Sequence, residues 1–252
     1  MRTFVALFVV VALAAGCSVK EDREACPCRL VLDFGSVDTA VVKSLNIQAV
    51  CDGNVVFEDV LYADDFDSEY VRDVPRCVLK INVWSGGDEG YGMVIPYGCE
   101  CPPIYMGSVL ADACGETCCK YIEVHKNHCR LTVLVEGMAD VPYCFTFRGN
   151  VSGYGFDGRP SYGDFSCVAY PGLTGESQAV LPRQLDSSLL LDVDDGTAAT
   201  KTFALGEHIA ACGYDWTSEE LSDMTIVLNY YITYVRIIIQ GWDKEFVYDM
   251  TL

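Results

Sequence analysis

The octapeptide Cys77-Val-Leu-Lys-Ile-Asn-Val-Trp84 alternates along its whole length, and this period of two governs much of the chain. A strand of this kind offers one face to a core, so Cys77, Leu79, Ile81 and Val83 are expected inside and Val78, Lys80, Asn82 and Trp84 outside. Further segments rich in β-branched and aromatic residues lie at 29–34, 44–50, 55–57, 121–124, 131–135, 143–147, 165–169, 179–181 and 189–193. Asp52-Gly53-Asn54 supplies a turn between two of them, which predicts a hairpin. Residues 225–240 have the composition of a buried helix. Their β-branched and aromatic content, interrupted by Asn229 and Arg236, predicts instead two strands around a bend near 231–233. One short helix is expected from the capping-box pattern Thr217-Ser-Glu-Glu220, followed by Leu221 and Met224. The Gly-, Pro- and Cys-dense stretch 86–103 and the glycine-rich stretch 149–163 read as loops, the second a long exposed connection.

An internal echo divides this all-β chain. Cys28-Arg-Leu-Val-Leu-Asp-Phe-Gly35, followed by Asp38, is similar to Cys129-Arg-Leu-Thr-Val-Leu-Val-Glu-Gly137, followed by Asp140. The two cysteines stand 101 positions apart, the size of one β-sandwich domain. Two tandem sandwiches are expected, at 28–125 and 126–252, joined near 124–128.

The first residues read differently. Met1 and Arg2 give a short positive start, and 3–15 is an apolar run too short for a span of about 20 residues. This is the form of a signal peptide, 1–16, with cleavage after Gly16. Small residues followed by Cys17 resemble the lipobox of bacterial lipoproteins, although Ala14 stands where such boxes favour Leu. Cys17 is then the lipidated residue, and 17–27 a polar tether carrying Lys20, Glu21 and Asp22.

Composition narrows the function. Apolar residues make up 51% of the 252, which excludes a disordered chain, and the net charge of −19 repels phosphate backbones. Nucleic acid is not an expected partner, and membrane attachment would have to rest on a lipid. Fourteen cysteines suit an exported protein, where disulfides are the default. With Cys17 set aside thirteen remain, so at least one cannot pair within the chain, and spacing does not reveal the connectivity.

The run Cys114, Cys118, Cys119, His125, His128, Cys129 contains soft metal ligands. It lacks both CxxC and HxxxH spacing, and the adjacent Cys118 and Cys119 suit separate bridges or burial, so no metal or cofactor is expected. His125, His128 and His208 are the only histidines, and none stands in a nucleophile motif. Asp64-Asp65 and Asp194-Asp195 read as solvated charge in place of a glycosidase pair; Asp192, Asp194, Asp195 and Gly196 echo calcium ligands without the EF-hand pattern. The expectation is a protein without catalytic activity.

Several features together resemble the FimB/Mfa2 family of fimbrial anchor proteins of Bacteroides-type bacteria. They are Cys17, then Glu24-Ala-Cys-Pro-Cys-Arg-Leu30 entering the first strand, the strand 131–137, Tyr143-Cys-Phe-Thr-Phe-Arg-Gly149 with its glycine-rich sequel, and the closing strand 235–242 ending in Gly241-Trp242. The similarity spans nearly the whole chain and rests on order and position; the high cysteine content departs from it. The resemblance implies two transthyretin-like β-sandwiches, lipid-anchored in the outer membrane at the base of a fimbrium, where the protein attaches the shaft subunit and limits its length. In this setting Lys20-Glu-Asp22 resembles a signal for export to the outer surface. Strand addition would join anchor and shaft. Only ten residues follow Trp242, so little C-terminal extension is expected for donation; 235–240 is expected to be internal and Gly241-Trp242 to close the domain. Two other readings are a fimbrial tip adhesin and a surface glycan-binding lipoprotein that uses Tyr91, Tyr105, Tyr154, Tyr162 and Trp216.

Overall fold

The alternating segments become strands in a computed structural model that describes residues 26–66, 69–87, 93–136, 144–194, 196, 200–229, 234–240 and 245–251. In the first half these are β1 (Cys28–Asp33), β2 (Ser44–Cys51), β3 (Asn54–Tyr62), β4 (Tyr70–Val74), β5 (Val78–Ser85), β6 (Met93–Val94), β7 (Tyr105–Asp112), β8 (Thr117–Tyr121) and β9 (His125–Lys126). In the second half follow β10 (His128–Glu136), β11 (Cys144–Tyr154), β12 (Pro160–Ala169), β13 (Glu176–Pro182), β14 (Leu190–Asp194), β15 (Lys201–Phe203), the helix α1 (Leu205–Ala211), β16 (Asp223–Asn229), β17 (Tyr234–Gln240) and β18 (Glu245–Thr251).

Two sandwiches result, as the echo implies. The first packs the sheet β4-β1-β8 against β3-β2-β5-β7-β9, and the second packs β13-β10-β16-β17-β18 against β12-β11-β14-β15. The echoed segments hold equivalent places. Both β1 and β10 are central strands with an antiparallel neighbour on one side, β4 or β13, and a parallel one on the other, β8 or β16. Their matched residues Cys28 and Cys129, Leu30 and Leu131, Leu32 and Val133 all face a core.

Leu79, Ile81 and Val83 are buried as alternation requires, and Cys77 is half-buried beside them. Val78 lies open on the outer face, but Asn82 is buried there and Lys80 and Trp84 are half-covered, for a reason given below. The hairpin β2–β3 turns on Asp52 and Gly53, with φ of 49° and 79°, the left-handed pair that a two-residue hairpin turn of the I′ type needs.

Several expectations are corrected. Residues 149–163 are no exposed connection: β11 and β12 run almost through them as one hairpin with its tip at 155–159. Its glycines serve close packing, since a Cβ on Gly153 would lie 2.3 Å from the Met93 carbonyl oxygen. The stretch 86–103 is not all loop. β6 pairs with β11, and Met93, Ile95 and Cys101 sit in the second core, together with Ile104 and Met106.

No helix forms at 217–220. Asp215 accepts hydrogen bonds from the Thr217 amide and hydroxyl in a local turn, and Met224 lies in β16. The helix is α1 instead. β16 and β17 are the expected pair of strands, with their bend at 231–233 outside the described residues. β17 lies between β16 and β18, so 235–240 is internal to its sheet. Gly241-Trp242, itself outside the described residues, does not close the domain, because β18 follows. No disulfide is formed among the described residues, whose thirteen cysteines are free thiols, six of them buried among core side chains.

Candidate assembly surfaces

A contact between the sandwiches explains the covered outer face of β5. The hairpin tip 155–159 reaches across from the second sandwich, where Asp157 receives a hydrogen bond from Lys80 Nζ at 2.9 Å and the Phe156 ring lies 4.7 Å from that of Trp84. The Lys80 ammonium holds the Asp157 carboxyl below its ordinary range. Lys80 and Trp84 flank Asn82 on this face, so the tip shelters a polar ladder across four strands. Ser108 Oγ donates to Asn82 Oδ1, Asn82 Nδ2 to Gln48 Oε1, and Gln48 Nε2 to Glu58 Oε1. The buried Gln48 and Asn82 are thereby paired.

A second bracket fixes the junction 125–130. His125 and the Lys126 amide contact the Glu220 carboxylate, and Asp223 Oδ1 accepts from Lys126 Nζ and from the Arg130 amide. Arg183 organises the other partner: its guanidinium donates to the carbonyls of Trp216, Ser218 and Glu219 and to Asn127 Oδ1. Tyr154, on the same network, donates to the Asn127 carbonyl and accepts from the Arg183 amide. His128 is buried at this junction, where it accepts from the Ile104 amide at 3.0 Å, and burial pulls its pKa down to about 4.

Among the described residues β3, β4 and β8 are end strands of the first sandwich, and part of β7 is also left unpaired on one side. β9 pairs with β7 only at Tyr105 and Met106, leaving Ser108–Asp112 without a neighbour on that side. Beside it opens a cleft of about 370 Å³ that reaches the core residues Ile81 and Val83, with Tyr121, Glu123 and His125 at its walls. Gly107 lies in its wall, where a Cβ would lie 1.9 Å from the Glu123 carbonyl oxygen. Exposed amides and carbonyls beside a cleft whose floor reaches core side chains offer an added strand its main-chain partners.

The residues singled out by sequence distribute as follows. Gly16, Cys17, Lys20, Glu21, Asp22 and Tyr91 lie outside the described residues. Of the other aromatics only Tyr162 is openly exposed; Tyr154 and Trp216 are buried, and Tyr105 packs its edge on His128. Tyr97 and Tyr170 are also exposed, one in the segment that meets β12 and one just beyond the end of that strand opposite Tyr162. Asp64 and Asp65 form a single 3-10 turn. Asp192 is held by Arg148 and Thr202, which keep its carboxyl below the ordinary range, and Asp194 caps the Gly196 amide. The run from Cys114 to Cys129 does not converge: Cys118 faces the core and Cys119 the solvent, as strand alternation demands. Among the described residues no three His, Cys, Asp or Glu side chains are grouped to hold a metal.

No family model matches the sequence, and no curated protein matches it. Solved structures do. A Bacteroides thetaiotaomicron protein described as polysaccharide-binding superposes with a TM-score of 0.67 at 12% identity, over 89% of this chain and 98% of its own. The fimbrial anchor protein Mfa2 of Porphyromonas gingivalis does so with 0.62 at 17%, over 86% and 98%. A Bacteroides ovatus protein described as an adhesin gives 0.56 at 13%, over 92% and 97%. The chain therefore has the two-sandwich fold of these three structures, a fimbrial anchor protein among them.

Proposed function

We propose that this protein is an outer-membrane lipoprotein that holds the base of a fimbrium, receives its shaft subunit by strand addition and limits its length. The observation that carries the reading is the open edge Ser108–Asp112 beside a cleft reaching the first core, in a fold shared with an anchor. β1 adds support. A lipid on Cys17 would pull on the lead into β1, a central strand hydrogen-bonded on both sides, so the load falls on two ladders at once. No catalytic constellation takes part in this role, and we read the protein as a non-enzyme located at the cell surface.

Deletion of the gene, with complementation by wild type or Cys17→Ala, tests the anchor reading. Fimbriae should be longer and shed into the medium without the protein, and Cys17→Ala should not restore them. Unchanged attachment and length would refute it. Tyr97, Tyr162 and Tyr170 favour a second reading, glycan capture, as does the likeness to a protein described as polysaccharide-binding. A glycan array separates the two, and immunogold labelling at the tip instead of the base would identify a tip adhesin.

A further inference from the structure

Two half-buried cysteines are close neighbours. Cys51 is the last residue of β2 and Cys77 directly precedes β5, and both pack against the first core. In the antiparallel register that pairs Val50 with Lys80, Cys51 continues opposite Leu79, which places Cys77 two residues along on the same face. They are diagonal neighbours on the core side of the sheet, both packed against the first core at its open end. Each stands at a strand end, so closing the short remaining gap requires side-chain rotation and a small shift of the chain at Pro75 and Arg76, with no change of register.

We propose that Cys51 and Cys77 form a disulfide by exchange with a small-molecule disulfide such as oxidised glutathione, stapling the β2–β3 hairpin to the start of β5. Cys51 is the attacking group. It ends its strand at the exposed hairpin turn, where a small disulfide can reach it, whereas burial pushes the Cys77 thiol up to about 12. Deprotonated Cys51 displaces one thiolate from the small disulfide, and that thiolate takes up a proton. Cys77 then loses its proton and attacks Cys51 Sγ, expelling the second thiolate. Two cysteine sulfurs are oxidised and one external disulfide is reduced to two thiols. Cys114, whose charge also acts on Cys77, is the rival partner; its amide and thiol are both bound to Asp112.

The test is peptide mapping of the full chain after treatment with oxidised glutathione and alkylation without reduction. The tryptic peptides 44–72 and 77–80 carry Cys51 and Cys77 as their only cysteines. They are expected as one linked species, two hydrogens lighter than their sum. Reduction should then lower Tm by about 10 °C in the wild type, from a closed loop of roughly 25 residues, but not in Cys51→Ser or Cys77→Ser. Recovery of both cysteines alkylated, or of Cys77 linked to the peptide carrying Cys114, would overturn the proposal. The mapping uses wild-type protein and so stands even if a variant fails to fold.

Discussion

Replacing Phe156 by alanine tests whether the hairpin tip joins the sandwiches energetically. Phe156 is 37% exposed, so the ring withdraws roughly 100 Å² from water, worth about 2.5 kcal/mol at about 25 cal/mol per Å². Its tilted packing at 4.7 Å on Trp84 adds about 1 kcal/mol that belongs to the pair. Lys80 and Asp157, 41% and 22% exposed, are screened and contribute about 0.5 kcal/mol. The assay is a double-mutant cycle of Trp84→Ala and Phe156→Ala, with urea unfolding followed by far-UV circular dichroism so that loss of a tryptophan does not remove the signal. Phe156→Ala alone should cost about 3 to 4 kcal/mol, and the pair should be less than additive by about 1 kcal/mol. A coupling energy below about 0.3 kcal/mol, with both single variants folded, would refute the reasoning: the tip would then rest on the first sandwich without holding it.

Three further outcomes are expected. Gly107→Ala forces a Cβ against the Glu123 carbonyl and should lower stability by about 1 to 3 kcal/mol in urea unfolding, whereas Gly115→Ala, which meets only the Thr117 oxygen at 3.8 Å, should stay within about 0.5 kcal/mol. His128 is neutral when folded, with a pKa near 4 against about 6.5 unfolded, so the unfolded chain binds the extra proton; stability is intact above pH 6.5 and falls by about 3 kcal/mol as pH drops toward 4, a loss that urea midpoints should show reduced in His128→Gln. Arg183→Ala strips donors from the carbonyls of Trp216, Ser218 and Glu219 and should cost about 2 to 4 kcal/mol, with Arg183→Lys recovering only part, because one ammonium cannot span a set that the planar fork reaches; both are read from urea midpoints.

What the sequence disclosed and what it hid follow from the range of the forces involved. Alternation in 77–84 depends on neighbours one and two positions away, so it identified the inward face of β5, and the echo of 28–35 in 129–137 identified two strands with the same pair of neighbours. Asn82 and Trp84 were misplaced because their cover, Phe156 and Asp157, comes from more than seventy residues downstream, in a stretch whose glycines read as loop. Those glycines permit tight backbone approach, a use that composition does not distinguish from a flexible connection. The helix α1 was missed for a related reason. Ala204 gives it no side-chain cap, and its second residue, Gly206, is a poor helix former retained where a Cβ would lie 2.4 Å from the Ser187 oxygen. The cysteines hid most. Their number pointed to bridges, yet strand parity turns Cys28, Cys118, Cys129 and Cys167 into core residues, so the useful question is which side chains share a face. The same reasoning applies to assembly. The edge at Ser108–Asp112 is legible only once β9 is seen to stop after two residues, because an unpaired strand has the same alternation as a paired one.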